Sequence, residues 1–295
     1  MKRPLVTAIA ATCAALLLAG CAASSSPTSA DASVLSHVHG LGFDHDDDAI
    51  LVATHTGIYR IDMAGSTFGE PSGPVGGFTF DAMGFTTTGA LTFASGHPGP
   101  ITSDTFQAPN LGLLASSDYA NSWDAVSLSG ETDFHDLTAS PSDPYRIFGL
   151  EGTSLQRSNN GGSSWETVGT LEARDIQTLA DNADVVFATT PDGLKVSTNS
   201  GDSFALVPDA PRLLLIADGV SGDRFVGIDV DGVVWSQTDS AAGWVSGGRV
   251  VGVPQALMVM PASGRIIVAD DRGISMSDDR GESWTTVWAT ADQAN

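Results

Sequence analysis

Ser277-Asp-Asp-Arg-Gly-Glu-Ser-Trp284 is one of four copies of the phrase that decides the fold. The others are Ser116-Ser-Asp-Tyr-Ala-Asn-Ser-Trp123, Ser158-Asn-Asn-Gly-Gly-Ser-Ser-Trp165 and Ser197-Thr-Asn-Ser-Gly-Asp-Ser-Phe204. Asp and Asn fold their side chains onto nearby backbone N–H groups, and Gly accepts positive φ, so each copy reads as a tight hairpin turn. The aromatic residue that follows starts a strand and offers a large apolar face. The copies begin 42, 39 and 80 residues apart, and the last gap is two periods of about 40. Self-similarity at that period means a stacked or radial array of small units.

The phrase resembles the Asp box of the sialidase-type β-propellers, the BNR repeats. The resemblance implies that each turn joins the third and fourth strands of a blade and that its aromatic wedges between blades. Between the turns, short runs rich in Val, Ile, Leu and Phe alternate with Gly, Asp and Pro clusters, as strands do. The expectation is an all-β chain, a six-bladed β-propeller of four-stranded blades, with seven blades as the alternative. The blades fall at about 36–75, 78–128, 133–170, 174–208, 212–246 and 253–289. Blade 2 carries an insertion at Gly99–Asn110, and the turns of blades 1 and 5 are degraded.

The N-terminus reads as a targeting segment. Lys2 and Arg3 precede an apolar run from Leu5 to Leu18, too short to span a membrane and typical of a cleaved signal. Leu18-Ala-Gly-Cys21 looks like a bacterial lipobox, which implies a signal peptide over 1–20 and lipid on Cys21. Residues 21–33 form a Ser/Ala-rich flexible tether, and 34–290 a single propeller domain. The chain is therefore expected on the outer surface of a bacterial cell membrane, held through its lipid anchor. Cys13 leaves with the signal, so the folded domain has neither disulfide nor thiolate ligand. A net charge of −22 disfavours nucleic acid and favours cations.

The inner strands superimpose by pattern. One ring of equivalent positions is His39, Asp81, His135, Gln177, Leu214 and Gln255; the ring two residues earlier is His37, Thr79, Asp133, Asp175, Arg212 and Val253. Polar residues on central strands make sense if they line an axial channel. All six histidines lie within the first 135 residues. His37, His39 and His135 open inner strands, and His55 and His97 occupy matching loops after second strands. These five are expected to converge at one end of the channel, over blades 1 to 3. His45 belongs at the far end, beside Asp44 and Asp46–Asp48, which read as a solvated turn.

Imidazole is the usual ligand for zinc and copper, and carboxylates complete the sphere. The candidate metal or ligand residues are His37, His39, His55, His97, His135, Asp81, Asp133 and Glu151. A hydrogen-bonded polar plug of the channel is the bland alternative. The leading function is thus a surface lipoprotein holding copper, zinc or a small polar ligand at a His-lined mouth. A glycosyl hydrolase is the second reading, with Asp81 and Asp133 as weak catalytic candidates. The sialidase likeness implies an Arg triad and a Tyr nucleophile; Tyr59, Tyr119 and Tyr145 are not placed for that role, although Arg174, Arg212 and Arg249 stand near the starts of blades 4 to 6. An assembly or scaffold propeller is the third reading.

Overall fold

The computed structural model describes residues 35, 37–46, 48–89, 91–100, 106–219, 223–238 and 243–290. The signal peptide, Cys21 and the tether lie outside the described residues. Six four-stranded antiparallel sheets form the blades of a β-propeller, each strand pairing with the next in sequence. Blade 1 is β1 to β4 (Val38–Asp44, Ala49–Thr54, Gly57–Ala64, Thr67–Phe68). Blade 2 is β5 to β8 (Phe80–Thr88, Leu91–Pro98, Leu113–Ser116, Asp124–Ser127). Blade 3 is β9 to β12 (Asp136–Ser140, Asp143–Glu151, Ser154–Ser158, Glu166–Thr170). Blade 4 is β13 to β16 (Asp175–Thr178, Val186–Thr190, Gly193–Ser197, Ala205–Leu206). Blade 5 is β17 to β20 (Leu213–Asp218, Asp223–Asp229, Val233–Thr238, Trp244–Arg249). Blade 6 is β21 to β24 (Pro254–Val259, Ile266–Asp270, Gly273–Ser277, Thr285–Ala289).

Burial follows strand position. The second strands β2 and β14 are buried at every residue. Neighbouring blades cover both their faces, so their sequences read as unbroken apolar runs rather than alternation. The outer strand β12 is exposed at four of its five residues, and alternates nothing that a core needs. Between each pair of blades lies one apolar cluster: Leu51, Ile58 and Phe80 between blades 1 and 2, and Phe93, Phe134 and Ile147 between blades 2 and 3. Phe148, Leu155 and Val186 join blades 3 and 4, Phe187, Leu194 and Phe225 blades 4 and 5, and Val226, Val234 and Val268 blades 5 and 6. The ring closes through Ile50 and Ile61 of blade 1 packed on Ile267 and Ile274 of blade 6. No strand is shared between the first and last blades among the described residues.

The four repeated phrases are four turns of one geometry, each between the third and fourth strand of its blade. The leading Ser Oγ donates to the Asp or Asn Oδ1 at 2.8–3.0 Å and accepts the N–H four residues on at 2.8–2.9 Å. The same Oδ1 accepts the N–H of the second Ser at 2.8–3.1 Å. Each aromatic then packs toward the preceding blade: Trp123 meets Phe80 in the cluster of blades 1 and 2, and Trp165 Nε1 donates to Ser127 Oγ of blade 2 at 3.1 Å.

Asp46 and Asp48 lie exposed in a turn, as expected, but Asp44 departs from that reading. Asp44 is 1% exposed and pairs with Arg60 Nη1 at 2.6 Å. A third-strand arginine with its own stem buried neutralises it, a contact that lies 16 residues away in sequence and has no local signal.

Candidate functional site: the histidine face

Strand register resets the inner-strand alignment. In blade 1, Val38 faces Thr54 and Gly40 faces Ala53, leaving His39 as the extra residue of a β-bulge. Met83, Leu214 and Gln255 hold the same place in blades 2, 5 and 6. In blades 3 and 4, both His135 and Asp136 meet Leu150, and both Arg174 and Asp175 meet Thr189. The ring of equivalent positions is therefore His39, Met83, Asp136, Asp175, Leu214 and Gln255. The sequence alignment was right in blades 1, 5 and 6, ran two residues early in blade 2 and one early in blade 3, and two late in blade 4. A bulge inserts one unpaired residue into a strand, so hydrophobic pattern alone cannot count through it.

Three side chains on this ring bind one blade to the next. Gln255 Oε1 accepts Val38 N–H at 2.8 Å, Asp136 Oδ2 accepts Ile176 N–H at 2.6 Å, and Asp175 Oδ2 accepts Ile216 N–H at 2.7 Å. The Asp136 and Asp175 carboxyls also hydrogen-bond each other, so one of them carries a proton. Burial pushes Asp175 up to about 7, against the pull of Ile216 N–H and Arg174. Burial and then the charge of Asp175 hold Asp136 well above the ordinary carboxylate range. This pair faces a channel cavity of about 410 Å³ that His39, Met83, Gln177 and Gln255 also line. Sequence reading placed Asp175 in a ring but did not single out Asp136; the signal it lacked was the bulge.

Five histidines gather at the channel end where inner strands begin, in two groups. In the first, His55 Nδ1 stands 2.8 Å from Asp81 Oδ1, and His39 Nε2 lies 3.2 Å from His55 Nδ1 and 3.5 Å from Asp81 Oδ1. One ligand atom from each of the three falls within 4.8 Å of the other two. The His37 ring stands 5.1 Å from that of His55, on a residue with φ of 56°. Burial first, then the charge of His55, lowers His39 to about 4, so it is a neutral imidazole at pH 7.

In the second group, His97 Nε2 and His135 Nε2 lie 3.0 and 2.9 Å from Asp133 Oδ2. His97 sits inside β6 rather than in the expected loop, directly opposite Asp81 in the ladder. Gly96 makes this possible. Its φ is 144°, and a Cβ there would fall 1.8 Å from Asp81 O, so only glycine lets the two strands close at this point.

The remaining sequence candidates are dispersed. Glu151 accepts a hydrogen bond from Gln156 in its own blade and has no bond to either group among the described residues. Asp81 and Asp133 sit in different groups, so they do not form the carboxylate pair sought between them; Asp136 and Asp175 are the carboxyls brought together. His45 packs on Phe43 at 5.0 Å and lines the opposite end of the channel. Arg212 and Arg249 bond the carbonyls of Pro191 and Asp231, leaving Arg174 as the cation beside the Asp pair.

No protein-family model matches the chain, and no curated protein matches it in sequence. Solved structures match in fold. A GH74 xyloglucanase from Xanthomonas campestris superposes with a TM-score of 0.58 at 16% identity, covering 85% of this chain and 45% of the enzyme. An ancestral GH74 enzyme gives 0.53 at 16% identity, with 88% and 39% covered. A chain of a nidogen/laminin complex gives 0.60 at 10% identity, with 79% and 89% covered, and YCF48 bound to a D1 peptide gives 0.51 at 14%, with 85% and 81% covered. The chain spans less than half the length of either GH74 enzyme. Its likeness to a propeller glycosyl hydrolase and to propellers solved in complexes is one of architecture.

Proposed function

We propose that this chain is an exported, lipid-anchored Asp-box propeller that holds a divalent transition metal, zinc or copper, on its histidine face through His39, His55 and Asp81. The observation that carries the reading is the convergence of His39 Nε2, His55 Nδ1 and Asp81 Oδ1 within 4.8 Å. Two imidazoles and a carboxylate are the donor set of many zinc sites, and three protein ligands leave a fourth position for water or a small polar ligand. The metal would supply a Lewis acid there. His39 contributes a ring that burial keeps unprotonated, as a ligand must be. His37, on the same strand start, adds a third imidazole beside the group without sharing its ligand geometry. The overall charge of −22 favours any cation that approaches.

Glycoside hydrolysis is supported less well. It needs two carboxyls about 5–9 Å apart to flank the scissile bond. Asp136 and Asp175 hydrogen-bond each other, which is too close, and each is also tied to a backbone N–H.

The test is zinc and copper content of protein purified without an affinity tag, compared with the His39→Gln/His55→Gln double variant. The wild type retains metal through dialysis and the variant retains at least one equivalent less. Equal metal in both proteins, with circular dichroism showing both folded, rejects the assignment.

A further inference from the structure

We propose that the channel mouth opposite the histidine face binds a small amine, an ammonium group carried on an apolar alkyl or aromatic body, with the body in the channel and the charge beside Asp218. The site shares no residue with the metal-ligand group and stands whether or not that group holds metal.

The inner strands give the shape. A cavity of about 320 Å³ opens at this end, and all six blades contribute to it from the late residues of their first strands or the loops that follow. Leu41 and Phe43 stand two apart on β1, so they share a face. Leu257, Met258 and Val259 of β21 line the cavity with them. Leu41, Leu257 and Met258 are only half-buried, so the wall keeps apolar surface uncovered by the described chain. A concave, mostly apolar wall with a few polar groups is the usual form of a small-molecule site, and the volume falls at the small end of the range of about 300–1,000 Å³. The channel changes character along its length. Leu41, Gln177 and Leu257 line this cavity and also the one that holds Asp136, Asp175 and Arg174. Beyond them the lining is polar; on this side it is apolar.

Charge decides which apolar molecule fits. Asp218 ends β17 on the cavity wall, and its Oδ2 accepts Ala180 N–H at 3.0 Å, which fixes the carboxylate in place. Asp46 and Asp181 are exposed and directly follow the lining residues His45 and Ala180. Among the described residues no lysine or arginine lines the cavity. Three arginines that reach this end are engaged elsewhere: Arg60 with Asp44, Arg146 with Asp143 and Asp184, and Arg265 with the Gly65 carbonyl. Carboxylates around a cleft with low-dielectric walls concentrate cations there. Apolar walls alone would admit any hydrophobe of the right size; the acidic rim favours one with a positive end and repels a carboxylate of the same shape.

The experiment titrates the full chain by calorimetry at neutral pH and low ionic strength with 2-phenylethylamine, 2-phenylethanol and 3-phenylpropionate. These share an apolar body and differ in charge. The amine is expected to bind at least about threefold more tightly than the alcohol, and the acid more weakly than either. Asp218→Asn keeps an acceptor for Ala180 N–H and is expected to bring the amine down to the affinity of the alcohol, with the alcohol unchanged. Met258→Trp fills the mouth and is expected to weaken all three, circular dichroism showing the variant folded. Equal affinity of the wild type for the three probes overturns the selection of a cation. No binding of any probe at millimolar concentration overturns the site. Amine binding that is kept in Asp218→Asn and lost in His39→Gln/His55→Gln puts the amine at the other end of the channel and overturns the proposal as well.

Discussion

Asp175 sits where packing and proton chemistry oppose each other. Its carboxyl accepts Ile216 N–H from the next blade and shares a proton with Asp136. Burial raises it to about 7, against about 4 in an unfolded chain. Between those values the folded chain holds a proton that the unfolded chain has released. The stabilising effect of the proton is complete below about pH 4 and is lost as pH rises through about 7. His39 has the opposite sign: lowered to about 4, it lets the unfolded chain take a proton first, so its contribution is lost as pH falls from about 6.5 to about 4. Asp175→Asn separates the two. Its amide oxygen still accepts from Ile216 and its NH₂ donates to Asp136, without a charge to bury. The variant is expected to be more stable than wild type at pH 8, by on the order of 2 kcal/mol, and to show a shallower decline with rising pH, the remainder coming from Asp136, which burial still raises. Urea denaturation at pH 4 and at pH 8 checks this; equal destabilisation at both would show that the pair does not share a proton. That the five imidazoles lie toward one end of the channel was legible from sequence, because inner-strand starts and second-strand ends of adjacent blades sit together; their division into two groups and the place of His97 inside β6 were not. Asp136 was not, because a one-residue slip at a bulge turns a side chain to the other face.

At the scale of one turn, the serine does more than the acid. Ser116, Ser158, Ser197 and Ser277 are each at most 3% exposed, and each Oγ accepts a buried N–H four residues on. Removing it strands that donor, at about 1–3 kcal/mol. The acidic position tolerates exchange, since two of the four turns already use Asn with the same Oδ1 bonds. Ser158→Ala should therefore lower the urea midpoint by about 1–3 kcal/mol of stability, and Asp279→Asn should leave it nearly unchanged at neutral pH. The Ser283 hydroxyl, its N–H and the Ser277 hydroxyl hold the exposed Asp279 below its ordinary range. If the Asp279 exchange proves the costlier of the two, its charge matters more than the bond pattern. These turns were readable because all their bonds close within seven residues, and local chemistry survives in a sequence. The buried Asp44–Arg60 pair was not, since it joins a first-strand end to a third-strand side chain.

Across the whole ring, the sequence could count blades but could not show how the last meets the first. The structure closes on side chains alone: Ile267 and Ile274 against Ile50 and Ile61, with Gln255 Oε1 accepting Val38 N–H. A seam of this kind is comparable to the other five interfaces, each of which is likewise one apolar cluster between two blades. Opening any of them exposes the second strands on both sides, which are the most buried in the molecule, so the ring should unfold as one unit. Ile267→Ala at the seam and Phe225→Ala between blades 4 and 5 each create a cavity, costing about 2–5 kcal/mol. Both side chains are fully buried. Each substitution is expected to shift a single cooperative transition, seen alike by tryptophan fluorescence and far-ultraviolet circular dichroism. An early separate phase in Ile267→Ala would mean that the seam opens before the other interfaces do. Blade 1 would then come away first, taking His39 and His55 with it, and metal at that site would raise the seam transition selectively. If all the interfaces hold together, as their matching cores imply, bound metal instead raises the one transition of the entire ring.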